Sequence, residues 1–246
     1  MIRMRNRKAI AMIELIFAIV IIGLILMTAP MVISTATKSG YVALQQESIA
    51  AASSEIGMIL THHWDEEDTD QNLSAPILRA TGDTDLNEVD DALGNPTGLR
   101  AGTSIYSKRT FLTSLGGRLD ATAVGDLGHD LNDRDDIDDF TTLSSTLYEE
   151  ESTTTSDGDY IDKDIVLSTT VSYISDAPTS GSYTGTGVSI DFDLDTSAAA
   201  PGGTTNIKSV VVNLTTTKTD EEMDKSIVLR AFSCNIGTYE LEERTF

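Results

Sequence analysis

Cysteine occurs once in the 246 residues, at Cys234. No internal disulfide is therefore possible. Cys234 lies in an apolar run and reads as a buried strand residue. Basic residues are also scarce: 17 Lys and Arg stand against 39 Asp and Glu, a net charge of −22. Nucleic-acid binding is not expected of such a chain, because it needs clustered positive charge. An acidic, well-solvated surface remains, with an affinity for cations or basic partners. Enzyme signatures are missing too. There is no nucleophile elbow, no phosphate-binding loop and no H-E-x-x-H pair, and no enzyme site is expected. No internal repeat is visible.

Only one long hydrophobic run occurs, from Ala9 to Ile33 (AIAMIELIFAIVIIGLILMTAPMVI). At about 1.5 Å per helical residue, roughly 20 residues cross a bilayer core, so this run is long enough. The leader before it carries Arg3, Arg5, Arg7 and Lys8 and no acid. Basic charge before the span and acidic charge after it place the remainder outside the cytoplasm. Within the run stands one charge, Glu14, with no cation in the run to pair with it. A carboxylate in a membrane helix costs about 2.5–3.5 kcal/mol at the centre and less near an end. Such a residue points to function, and its partner must be sought elsewhere.

The residues around Glu14 resemble the processing site of type IV prepilins and type II secretion pseudopilins: Ala9-Ile10-Ala11-Met12-Ile13-Glu14-Leu15 behind a basic leader. The resemblance covers Arg7 to about Pro30. It implies that a membrane peptidase cleaves between Ala9 and Ile10 and N-methylates the new terminus. Glu14 is then the fifth mature residue, and Pro30 kinks the helix. Ala9 stands where the family usually has Gly, Ala11 where Thr is common, and Pro30 comes one residue early. The leader holds four of the 17 basic residues and none of the acids, so its loss would move the charge from −22 to −26. Cleavage frees an amine at the positive end of a helix dipole. Glu14 of one subunit meeting Ile10 of the next would answer a charge that lipid penalises, and would fix axial register.

Three other readings compete. A secretory signal peptide has an apolar region of about 7–15 residues; this one is longer and contains Glu14. Thr28-Ala29 and Ser34-Thr35-Ala36 are weak cleavage sites for it. A signal anchor holding an extracytoplasmic binding module, and a buried core helix, are the others.

Helical periodicity continues beyond Pro30. Tyr41, Leu44, Ile49, Ala52, Ile56 and Ile59 recur at near-helical spacing between polar residues. The expected organisation is a leader (1–9), a transmembrane or filament-core segment (10–33), its amphipathic continuation (34–62) and an acidic β-rich head (63–246). One helix is expected from Ile10 to about His62, its amphipathic half packed on the head. Trp64 to Leu99 reads as loop, with a turn at Asn95-Pro96-Thr97-Gly98, and Thr110-Phe111-Leu112 as a short strand or helical turn. Strands are expected at 160–174, 188–194, 207–217 and 227–236. The fold class is α+β: a pilin-like long N-terminal helix on an antiparallel sheet.

Two polar clusters remain. Asp130, Asn132, Asp135, Asp136, Asp138 and Asp139 concentrate oxygen ligands that calcium could use, against the alternative of a solvated acidic loop. Their spacing is not that of an EF-hand. Within them, Ile137-Asp138-Asp139-Phe140 resembles a segment of minor pilins of mannose-sensitive-haemagglutinin type. His62-His63-Trp64 reads as a helix-terminal cluster rather than a metal site, with Trp64 anchoring the helix end in the head. The resemblance implies as partners other pilin or pseudopilin subunits, the prepilin peptidase, the inner-membrane assembly platform and membrane lipid. It implies a single-pass inner-membrane precursor that passes into an extracytoplasmic filament.

Overall fold

A computed structural model describes residues 6–69, 75–128, 134–147, 165–185, 189–195, 202–216 and 226–238. The chain divides into two compact units, Met1–Ile49 and Ala50–Phe246. A single helix, α1 (Asn6–Ile59), supplies the described part of the first unit and the opening of the second. It begins four residues before Ile10 and continues through Pro30, whose missing N–H leaves one ladder bond unmade. The hydroxyls of Thr35 and Thr37 fold back onto the carbonyls of Met31 and Ile33. They are thereby satisfied without water, as an apolar environment requires.

The helix ends at Ile59, three residues short of the expected His62. The next turn tightens, with Thr61 N bonded to Met58 O and His62 N to Ile59 O. The His63 amide then leaves the helix for the carbonyl of Asp135, and Trp64 turns into the core.

The head sheet is an antiparallel meander: β3 (Ser144–Leu147), β4 (Ile165–Tyr173), β5 (Ile207–Thr216) and β6 (Ile227–Cys234), paired in that order. Its four strands are not the four expected. β3 is a Ser/Thr segment without apolar alternation, recruited by pairing with β4. The expected strand at 188–194 does not form over its described residues, 189–194. Of that segment only Asp191 forms a bridge, to Ser180, and Ile190 and Phe192 are exposed. Alternation alone leaves backbone donors unpaired unless an adjoining edge accepts them. Within the expected loop, β1 (Glu88–Asp90) and β2 (Pro96–Arg100) form a small hairpin around the Asn95-Pro96 turn. Thr110-Phe111-Leu112 is neither strand nor helix, although Phe111 is buried. Cys234 closes β6, where it is half-buried.

On β4, Ile165, Leu167, Thr169, Val171 and Tyr173 face inwards. Register places Val171 opposite Val210, and Tyr173 opposite Lys208. Ile59 from the end of α1 joins Trp64, Leu78, Ile137, Phe140, Val171, Tyr173 and Val210 in one core. Glu55, one turn earlier, accepts a hydrogen bond from the Thr169 hydroxyl at 2.6 Å. The last turns of α1 therefore do pack on the sheet, as the periodicity predicts.

A second polar knot holds the 75–100 segment against the strand ends. Arg100 donates to the carbonyls of Leu86 and Asn235. Asp176 accepts from the amides of Asp83 and Asn206 at 2.9 Å each. Gly82 stands against that carboxylate: a Cβ there would lie 2.3 Å from Asp176 Oδ2. Gly82→Ala must displace a buried acid that holds two amides. The expected loss is about 1–3 kcal/mol, read as a lower urea midpoint.

Candidate functional site

Two features of the chain could carry function, one in each unit. In the first unit, the stretch of α1 from Met12 to Ile33 is apolar over its circumference apart from Glu14. Its large hydrophobic side chains from Met12 to Ile33 are each between 52% and 80% exposed. A soluble monomer does not leave so much contiguous apolar surface open to water. By length and composition α1 can cross a membrane. Ala9 and Ile10 lie in its first turns and Pro30 near its middle. Glu14 is exposed on it, one helical turn beyond Ile10.

In the head, the main feature is a fully buried lysine, Lys208, at which the sequence only hints. Lys208 is in phase with Val210, Val212 and Leu214, on the inward face of β5. That phase is the only local signal that its side chain is inside. Its ammonium donates to the Trp64 carbonyl at 2.8 Å, to Asp65 Oδ2 at 2.9 Å and to Asp138 Oδ1. It also lies 4.5 Å from the Trp64 ring and 5.5 Å from that of Tyr173. Burial pulls its pKa down, but Asp65 and Asp138 outweigh burial and hold it above the usual lysine value.

The carboxylates are unequally provided for. Asp65 also accepts from the Thr122 amide and hydroxyl and from the Glu67 amide. The Tyr173 hydroxyl, which donates to the Thr122 carbonyl, is 3.3 Å away. Among the described residues Asp138 accepts, beyond Lys208, only a long bond, 3.4 Å, from the Gly128 amide. Asp136 is fully buried; its Oδ1 accepts from the Asp139 amide, and its Oδ2 has no hydrogen-bond partner. Burial first, then the charge of Asp138, push the Asp136 pKa up to about 9. Asp68 rises to about 6, chiefly through burial; His63 Nδ1 opposes this from 3.0 Å, in ion-pair range but without hydrogen-bond geometry.

The described part of the acidic run is thus not a solvated loop. Asp136 and Asp138 are turned inwards, Asp138 is bonded to Lys208, and Asp139 Oδ2 accepts from the Asp135 and Asp136 amides. Asp130 and Asn132 lie outside the described residues. Among the described residues no group of three or more His, Cys, Asp or Glu side chains is placed to hold a metal ion. His62 packs on the Phe140 ring, and Trp64 donates through Nε1 to the Ser233 carbonyl, fastening the chain after α1 to β6.

Asp136 makes the head sensitive to alkali. The folded protein keeps a proton on it that the unfolded chain releases above about pH 4. Its contribution is complete below the unfolded pKa and is lost as pH rises towards the folded value near 9. One proton corresponds to about 1.4 kcal/mol per pH unit. Asp68 adds a similar loss that ends near pH 6. From pH 6 to 8 the native head is therefore expected to lose about 3 kcal/mol through Asp136. Asp136→Asn, which mimics the neutral acid, flattens this dependence. Urea titrations at the two pH values, followed by Trp64 fluorescence, measure both slopes.

No protein-family profile, curated protein or solved structure matches the chain.

Proposed function

We propose that the chain is the precursor of a type IV pilin-like or type II secretion pseudopilin subunit, and that its function is structural assembly. The observation that carries this reading is a lone carboxylate, Glu14, in the otherwise uncharged apolar run Ala9–Ile33 of α1, directly behind a basic leader. The peptidase removes residues 1–9 and methylates Ile10. The apolar half of α1 holds the subunit in the inner membrane, with the head outside the cytoplasm. It then transfers into a filament core, with Pro30 kinking it. There Glu14 meets the Ile10 amine of an adjoining subunit. Lipid and water are both excluded at such a contact, so an unpaired charge is costly while the pair itself is nearly neutral. The contact therefore sets register more than it adds cohesion. The head, larger than those of most major pseudopilins, suits a minor subunit at the filament tip.

A second reading is favoured by the same apolar helix: a signal-anchored binding module that never polymerises. The two are separated at Ala9. Replacement by leucine puts a bulky side chain where the peptidase requires a small one. On the assembly reading, Ala9→Leu abolishes leader removal, and the protein accumulates nine residues longer in the membrane. A plain anchor keeps its leader with either residue.

A further inference from the structure

We propose that Lys208 and Asp138 condense to an intramolecular amide, a covalent staple joining β5 to the turn before β3. The proposal stands on the head alone, independently of the filament reading. Folding places the two groups in direct contact from positions 70 residues apart. Both are buried, at 0% and 1% side-chain exposure. Held reactants reach effective molarities of about 10⁵–10⁸ M when well oriented. Condensation also replaces a buried ion pair, which low-dielectric surroundings penalise, by a neutral amide.

The step balances within the cluster. An ammonium proton passes from Lys208 Nζ to the Asp138 carboxylate, giving a neutral amine and a neutral acid. The Nζ lone pair attacks Asp138 Cγ, forming the Nζ–Cγ bond. The Cγ–Oδ bond then breaks, and the oxygen leaves as water with two of the three ammonium protons. The third stays on the amide nitrogen. No oxidant, reductant or activating group is consumed. Asp136 is the relay. Its Oδ2 is buried and makes no hydrogen bond, and burial together with the neighbouring Asp138 charge keeps it protonated near neutrality, so it can give a proton to the departing oxygen and receive one from nitrogen.

The unequal provision of the acids selects Asp138 over Asp65. Asp65 keeps the Thr122 amide, the Thr122 hydroxyl and the Glu67 amide after the ammonium has gone, so it stays satisfied as a buried carboxylate. Among the described residues Asp138 has no comparable set of donors, and its ionised form leans on the lysine. A chain with one cysteine gains in this way a cross-link that needs no thiol.

The test is the mass of the purified full chain and of its tryptic peptides. After any terminal processing, the chain should weigh one water less than its sequence. Trypsin should fail to cut after Lys208, leaving peptide 164–218 joined to peptide 135–163 through Asp138. Asp136→Asn should restore the full mass and cleavage after Lys208. A full-mass native chain cut normally after Lys208 would overturn the proposal. So would a water loss mapped to another site, or a branch through Asp65. A link formed to the native extent in Asp136→Asn would overturn the role given to Asp136. Because the decisive measurement is made on the unaltered protein, a variant that fails to fold does not remove the test.

Discussion

Lys208→Met is expected to lower the stability of the head by about 3–5 kcal/mol, a large part of the roughly 5–15 kcal/mol that holds an ordinary domain together. Methionine fills much of the same volume, so cavity formation is not the main effect. The loss comes from the acids. Asp65 and Asp138 are both buried, and the substitution removes the cation that both contact among the described residues. Asp138 suffers more, having among the described residues only the distant Gly128 amide in reserve. The double variant Lys208→Met, Asp138→Leu should therefore recover part of what the single variant loses, because no orphaned charge is left at position 138. Where the native pair is joined covalently, the lost cross-link adds to the deficit of both variants. Trp64, the only tryptophan, lies in the core 4.5 Å from the ammonium. Its fluorescence reports unfolding of the head without a label. Equal stability of the single and double variants would contradict the ranking of the two acids.

Glu14→Leu should separate insertion from assembly. Removing a carboxylate from a membrane helix makes insertion easier, by at most about 2.5–3.5 kcal/mol and less near the end where Glu14 lies. Incorporation into filaments should fall instead. An amine left unpaired in a dry contact costs about 3–5 kcal/mol, which corresponds to a loss of roughly 100-fold or more per contact. Glu14→Gln should fail as well, since it keeps the shape and loses the charge, while Glu14→Asp should restore part of the assembly. Membrane fractionation and filament yield measure the two effects on the same cells. Filaments of native abundance with leucine at position 14 would remove the register role.

The sequence makes the long helix legible because an apolar run has few alternatives: it needs no distant partner to declare itself. β4, β5 and β6 are legible for a related reason, since Val210, Val212 and Leu214 state their own face. What escapes is decided by long-range pairing. Ser144–Leu147 becomes a strand because β4 offers an edge, whereas the described part of the cleaner alternation, 189–194, makes a single bridge and stays irregular. Lys208 is the sharpest case. Its phase on β5 hints that it points inwards, but burial of a lysine is credible only once carboxylates from 70 and 143 residues away are seen around it. The same contacts turn part of an acidic run that looks solvated into an interior one. Glu14 is the converse: its oddness is plain in the sequence, and its proposed partner belongs to another molecule.

Assembly as proposed begins with removal of the leader on the cytoplasmic side of the apolar run. Mass spectrometry of the N-terminal peptide from membrane-extracted protein tests this most directly. The predicted result is a chain that begins at Ile10 and carries one methyl group on its amine. A chain that still holds residues 1–9, or one that begins beyond Ala29, would contradict it.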